Sequence, residues 1–224
     1  MLPRQRKGLL KTVNVCYYPA FLNITGKICV VIGGGKVAER KVKTILGCGA
    51  KIKLISPKIT IQLEKEKQKG NLEHLCRNYE SGDLEGAFLV IAATSDEKVN
   101  KKIASEARCL VNVVDAPEIA NFIVPSVVKR GLMNIAVSTS GVSPALARSV
   151  RKEIESLYDS ELNKYLIFLK KLRKQVIRKI SDKKIRQQFF REIASEEVLK
   201  FIRQKGYKEA KDIALRRLHE TASL

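Results

Sequence analysis

Tryptophan is absent from this 224-residue chain, histidine occurs only at His74 and His219, and the five cysteines stand well apart. Cysteines at 16, 29, 48, 76 and 109 form no C-x-x-C pair and are odd in number. That argues against a disulfide framework and a zinc site, and it fits a reducing cytosol. Two histidines cannot build a histidine-rich metal cage, so no resident metal site is expected. No run approaches the ~20 continuous apolar residues that a membrane helix requires. The basic start, Met1–Lys11, lacks the apolar stretch of a signal peptide. The chain therefore reads as cytoplasmic, with no membrane partner.

Acidic residues are also scarce: 23 Asp and Glu stand against 43 Lys and Arg, a formal charge of +20. The excess is spread along the chain. Residues 151–224 hold 20 basic and 11 acidic residues, and residues 1–150 hold 23 and 12. A field of this sign attracts nucleic acid, an acidic membrane or a multiply charged small substrate. It is equally the surface of an ordinary basic protein, and charge alone does not choose. Hydrophobic residues make up 45% of the chain, ample for a core without disulfide staples.

The pattern along the first half alternates short apolar, β-branched runs with helical stretches. Strands are expected at 27–32, 51–55, near 72–76, at 88–92 and at 109–114. Helices are expected at 36–46, 58–69 and 96–107. Strands joined by helices of about ten residues imply crossover connections and a parallel sheet. The fold class expected is α/β, a doubly wound parallel sheet. After Asp115 the pattern changes: 122–128 and 133–138 read as two strands joined by Lys129-Arg130-Gly131. Ser138-Thr139-Ser140-Gly141-Val142-Ser143-Pro144 is a small-residue loop that opens a helix. Further on, Tyr165, Leu169, Leu172 and Val176 recur at helical spacing, with Lys170, Lys171, Arg173, Lys174, Arg178 and Lys179 between them. That is an amphipathic helix with a basic face.

The first strand–helix junction, Gly33-Gly34-Gly35-Lys36-Val37-Ala38, fits G-x-G-x-x-A. Gly33 allows the tight exit from the strand, and Gly35 lets backbone approach a pyrophosphate. Ala38 keeps the helix close to the sheet, whose helix N-terminus favours an anion. Lys36 and Val37 open that helix and join the candidate cofactor site. Its setting at the head of a βαβ unit favours a dinucleotide over a purely structural turn. One element departs from the pattern: the second strand ends in Ser56-Pro57-Lys58, where an Asp or Glu commonly binds the ribose. Ser56 can hydrogen-bond a ribose and Lys58 can accommodate a 2′-phosphate, so these residues leave NAD and NADP both open. Thr94, at the end of a later strand, lies where such sheets place cofactor contacts.

Several further motifs stand in a fixed order: Tyr18-Pro19-Ala20-Phe21-Leu22, Phe88 to Thr94, Asn112-Val113-Val114-Asp115-Ala116-Pro117, Phe122-Ile123-Val124-Pro125-Ser126, and Ser140 to Arg148. Together with the glycine turn they resemble the precorrin-2 dehydrogenase/sirohydrochlorin ferrochelatase family, the module found alone or at the N-terminus of siroheme synthases. The resemblance covers nearly the whole chain. It implies an NAD-binding Rossmann domain over 1–117, a dimerisation segment over 118–150, a helical domain over 151–224, and a homodimer. It also implies NAD-dependent oxidation of precorrin-2 to sirohydrochlorin, which some members follow with insertion of Fe²⁺ or Co²⁺.

Asp115 matches the position that the family makes a general base, and it closes a strand at the ligand-binding edge of the sheet. As a residue followed closely by Pro117, it can equally cap a turn. Both tetrapyrroles are octacarboxylates by the same resemblance, which supplies a reason for the charge. Candidate substrate contacts are Ser138, Thr139, Ser140 and Arg148, while Ser143 reads as a helix cap. The basic face at Lys170–Lys179 is a further candidate or a solvated surface. The competing reading is a nucleotide-sensing regulatory protein whose helical domain binds a polyanion. It leaves the motifs at 112–126 and 140–148 without a role, and nucleic acid is not the expected partner.

Overall fold

A computed structural model describes residues 16–222; the basic start Met1–Lys11 lies outside the described residues. The chain divides into two compact units, Met1–Val124 and Pro125–Leu224.

The first unit runs β1 (Ile28–Ile32), α1 (Lys36–Leu46), β2 (Lys51–Ile55), α2 (Ile61–Gln68), β3 (Leu72–Leu75), β4 (Leu89–Ala92), α3 (Glu97–Glu106) and β5 (Leu110–Val113). The strands form one sheet in the order β3-β2-β1-β4-β5, every neighbouring pair parallel. Continuous apolar runs suit this because both faces are covered. In β1, Cys29 and Val31 join one buried cluster with Val42, Ile45 and Leu63, while Val30 and Ile32 join the other with Ile103 and Val111. The order reverses between β1 and β4, which makes a crevice at their carboxyl ends.

Asn121 finishes the β5 edge. Its side chain accepts from Val111 N at 2.7 Å and donates to Cys109 O at 2.8 Å, in place of a missing sixth strand. A half-buried ion pair lies in the same unit: Arg77 donates to both oxygens of the buried Asp83, at 2.8 and 2.7 Å. That guanidinium holds the Asp83 carboxyl below its usual range.

The second unit opens with an antiparallel pair, β6 (Ser126–Arg130) and β7 (Met133–Val137), followed by α4 (Pro144–Leu157), α5 (Ser160–Lys179), α6 (Lys183–Glu192), α7 (Glu196–Lys205) and α8 (Tyr207–Ala222). The first strand of this pair starts four residues later than the apolar run predicts. Phe122 packs instead against the core of the first unit, with its carbonyl taken by Asn112 Nδ2 at 3.2 Å. Pro125 has no N–H for a ladder. The turn also moves one step, to Gly131-Leu132, where Gly131 has φ +58. A side chain at Gly131 would meet Asn163, whose Oδ1 accepts from Leu132 N at 3.1 Å. The expected 118–150 segment thus falls on both sides of the boundary, 118–124 with the sheet and 125–150 with the helices.

Helices α5, α6 and α8 close around Leu172, Val176, Phe189, Ile193 and Leu218. Tyr165 donates its hydroxyl to Ile193 O at 2.7 Å inside a neighbouring cluster with Ile202 and Ala210. Asp182 and Ser195 cap α6 and α7, accepting from Ile185 N and Val198 N. Among the described residues, no helix is long and apolar enough to cross a membrane.

Candidate functional site

Four loops leave the carboxyl ends of β1, β2, β4 and β5 on one edge of the sheet. They bring together Gly33–Val37, Ser56–Lys58, Thr94 and Asp115. The three glycines of the first loop do different work. Gly33 has φ +112, and a Cβ there would lie 2.2 Å from Ala93 O, so only glycine lets β1 leave against β4. A Cβ at Gly34 would lie 2.0 Å from Lys58 O and 2.7 Å from Ser56 Oγ, so the first and second loops are in direct contact. Gly35 is unlike both. A Cβ there meets nothing within 4 Å, and the residue is the N-cap of α1 with no side chain capping the helix. Gly35 therefore leaves an open face in front of a bare helix N-terminus, where N–H groups and dipole favour an anion. A pyrophosphate fits there. Ala38 is fully buried, as close packing of α1 requires.

Lys36 and Val37 are exposed in the first turn of α1. Lys36 Nζ sits 3.4 Å from Glu39. Hydrogen bonds from Thr60 first, and from Lys36, draw the Glu39 carboxyl below its usual range.

The β2 loop is held by three side chains, each on a successive backbone carbonyl. His74 Nε2 donates to Ser56 O at 2.9 Å, Cys76 Sγ to Pro57 O at 3.3 Å and Ser56 Oγ to Lys58 O at 2.7 Å. A carbonyl only accepts, so His74 carries its proton on Nε2; its buried Nδ1 has no hydrogen-bond partner among the described residues. Ser56 is buried and its hydroxyl proton is committed to the loop, leaving a lone pair for a ribose. Pro57 and Lys58 are exposed. Thr94 is likewise drawn inward, donating to Asn100 Oδ1 at 2.8 Å while the buried Asn100 amide donates to Thr94 O at 3.0 Å.

Asp115 follows β5 in the left-handed region, at φ +61, and is exposed. Aspartate is among the few residues that adopt this conformation at modest cost. The sequence reading missed its neighbour Lys41. This lysine is half-buried on α1; burial and Arg40 lower its pKa, and the Asp115 charge acts in the opposite direction. An ionised Asp115 and the Lys41 ammonium thus feel one another. The available signal was position: Lys41 falls between Ala38 and Val42, on the flank of the face that α1 buries.

In the second unit, the loop before α4 is self-contained. Ser140 has φ +54 and its N–H donates to Ser138 Oγ at 3.0 Å. Thr139 Oγ1 donates to Ser143 O at 3.0 Å and accepts from Ser143 N at 3.1 Å. Ser143 caps α4 by accepting from Leu146 N at 3.2 Å, with Pro144 in the first turn. Arg148 lies exposed on α4. Of the candidate tetrapyrrole contacts, Arg148 and the Ser140 side chain are exposed, while the hydroxyls of Ser138 and Thr139 close their own loop.

An NAD(P)-binding family model matches residues 20–126, and the model of the central part of sirohaem biosynthesis proteins matches 130–157. The chain belongs to the siroheme-biosynthesis family. It is 38% identical to a siroheme synthase of Methylobacillus flagellatus, over 78% of this chain and 38% of that protein. A siroheme synthase of Thioalkalivibrio sulfidiphilus is 37% identical over 78% of this chain and 36% of that protein. The chain thus spans little more than a third of the length of these relatives. The solved structure of the precorrin-2 dehydrogenase SirC superposes with a TM-score of 0.78 at 26% identity, covering 91% of this chain and all of that one. The first unit is accordingly the family's Rossmann-like NAD-binding domain, and the second carries its helical region.

Proposed function

We propose that this siroheme-family protein oxidises precorrin-2 to sirohydrochlorin with NAD⁺. The observation that carries the reading is the position of Asp115: an exposed carboxylate closes β5 on the same sheet edge as the open face of Gly35. Two hydrogens leave the tetrapyrrole, one as hydride and one as proton. Bound NAD⁺ supplies the hydride acceptor. The Asp115 carboxylate takes the proton and passes it to water, so that precorrin-2 and NAD⁺ give sirohydrochlorin, NADH and H⁺. The Asp115 charge in turn supports the ammonium form of the half-buried Lys41 on α1, against the burial that lowers its pKa.

The same carboxylate can accept pyrrole protons when Fe²⁺ or Co²⁺ enters the product. The metal is then a substrate; among the described residues, no cluster of three or more His, Cys, Asp or Glu side chains is placed to hold one. Mixing the protein anaerobically with precorrin-2 and NAD⁺ tests the reading. NADH and the sirohydrochlorin spectrum are expected to rise in equal amounts. No turnover with either NAD⁺ or NADP⁺ would overturn it.

The working state is a homodimer in the cytoplasm. Support for the dimer comes from the β6–β7 pair, which α4 covers but whose two edges are unpaired among the described residues. Val127 on β6 and Leu132 in the turn are exposed there, as is Leu146 on α4. Support for the compartment comes from five cysteines that are all free thiols. Sedimentation at micromolar concentration should give twice the 25.1 kDa chain mass.

A further inference from the structure

The outward line Ile167, Lys171 and Gln175 of α5, spaced by one helical turn each, is the shared wall of two grooves. One, of about 380 Å³, opens toward α8 over Phe168, Leu172 and Leu215. The other, of about 500 Å³, opens toward Leu132 in the β6–β7 turn. Lys164 and Lys211 rim the first, Lys170, Lys174 and Arg178 rim the second, and Lys171 belongs to both; no acidic side chain lines either. Lys164 pairs with Glu161 at 2.5 Å. The other five rim cations make no ion pair among the described residues. Of the basic side chains elsewhere in this unit, Arg130 and Arg151 share Glu155 and Arg217 pairs with Glu192, so the groove is marked by its clustering of cations around apolar residues rather than by unpaired charge alone.

We propose that this double groove captures the polycarboxylate tetrapyrrole by its rim, an inference that rests on the function proposed above. Shape and charge together select the occupant. A flat ligand with an apolar centre and peripheral carboxylates meets an apolar floor between cations, where charge-assisted hydrogen bonds form at its edge and the field raises its rate of arrival. Single-stranded nucleic acid would need exposed rings for base stacking. The aromatic residues here, Phe168 and Tyr207, pack instead into the helical core. A membrane would need the apolar face of α5 free. That face, with Tyr165, Leu172 and Val176, is buried among the other helices.

The test is a fluorescence titration of the full chain with uroporphyrin III, an octacarboxylate porphyrin that needs no turnover. Lys171→Glu with Lys174→Glu is expected to weaken binding about tenfold and to flatten its dependence on salt, because two exposed attractions become repulsions. Lys171→Arg with Lys174→Arg should bind as the parent does, and both variants should keep the parent's helix content by circular dichroism and its melting temperature, which report an intact helical unit. The proposal is overturned if the glutamate pair binds uroporphyrin like the parent, or if the arginine pair is as weak as the glutamate pair. Tighter binding of duplex DNA or of phosphatidylserine vesicles than of uroporphyrin also overturns it. Charge-dependent uroporphyrin binding without precorrin-2 oxidation would remove the reaction and leave the groove. Oxidation with charge-independent binding would do the reverse.

Discussion

Asp115→Asn is expected to lower kcat for precorrin-2 oxidation by about 10²–10⁴-fold, the usual worth of a positioned proton acceptor, while NAD⁺ binds as before. Asparagine is the informative replacement for a backbone reason. Residue 115 holds φ +61, and asparagine enters the left-handed region nearly as readily as aspartate. Alanine there would add roughly 1 kcal/mol of local strain and mix a structural effect with a chemical one. The amide keeps shape and turn but accepts no proton at neutral pH, so a retained melting temperature with lost turnover isolates the chemistry. Equal kcat in the two proteins would return Asp115 to the role of a turn residue ahead of Pro117. NADH formation under single-turnover conditions separates this step from slow product release.

The parallel sheet was legible because β1 and β4 are short apolar runs and β1, β2 and β4 are each followed by a helix. Helix α1 and strand β2 fall where the pattern puts them. Local pattern fails where a segment's partner lies elsewhere in the chain. Phe122-Ile123-Val124 reads as strand, yet Phe122 is taken into the first core through Asn112, and Pro125 interrupts the ladder. The division of residues 183–222 into α6, α7 and α8 is marked only by the caps Asp182 and Ser195 and by Gly206 at φ +85, signals weaker than an apolar stripe.

At the site, the glycine turn and Asp115 were visible as motif and strand end. The locking of the β2 loop by His74 and Cys76 was not, because His74 lies on β3 and Cys76 just after it, and β3 is paired to β2 only through the sheet register. Lys41 was hidden for a similar reason: its partner Asp115 is brought near by the fold, 74 positions along the chain. Sequence shows which residues carry chemistry more readily than which side chains hold them in place.

Gly35→Ala should weaken NAD⁺ binding about 10- to 100-fold, the equivalent of losing one charge-assisted hydrogen bond, and leave the unliganded protein at least as stable as its parent. The two halves of this expectation come from separate features of one residue. Gly35 sits at φ −82 and ψ −174, extended backbone that alanine adopts freely, and its added Cβ touches no atom of the described residues within 4 Å. With no strain in the fold, the smaller conformational freedom of unfolded alanine adds about 0.4–1 kcal/mol of stability. The same empty volume, however, is the approach to the N-terminus of α1. A methyl group there holds a pyrophosphate away from the N–H groups that would bind it. Gly33→Ala makes the contrast. At φ +112, with a Cβ 2.2 Å from the backbone oxygen of Ala93, it should destabilise the sheet itself, so that cofactor binding and melting temperature fall together. A thermal melt without ligand and an NAD⁺ titration by calorimetry read both quantities. If Gly35→Ala binds NAD⁺ like the parent, the glycine turn is a device of packing alone, and the cofactor must enter the sheet edge by another loop.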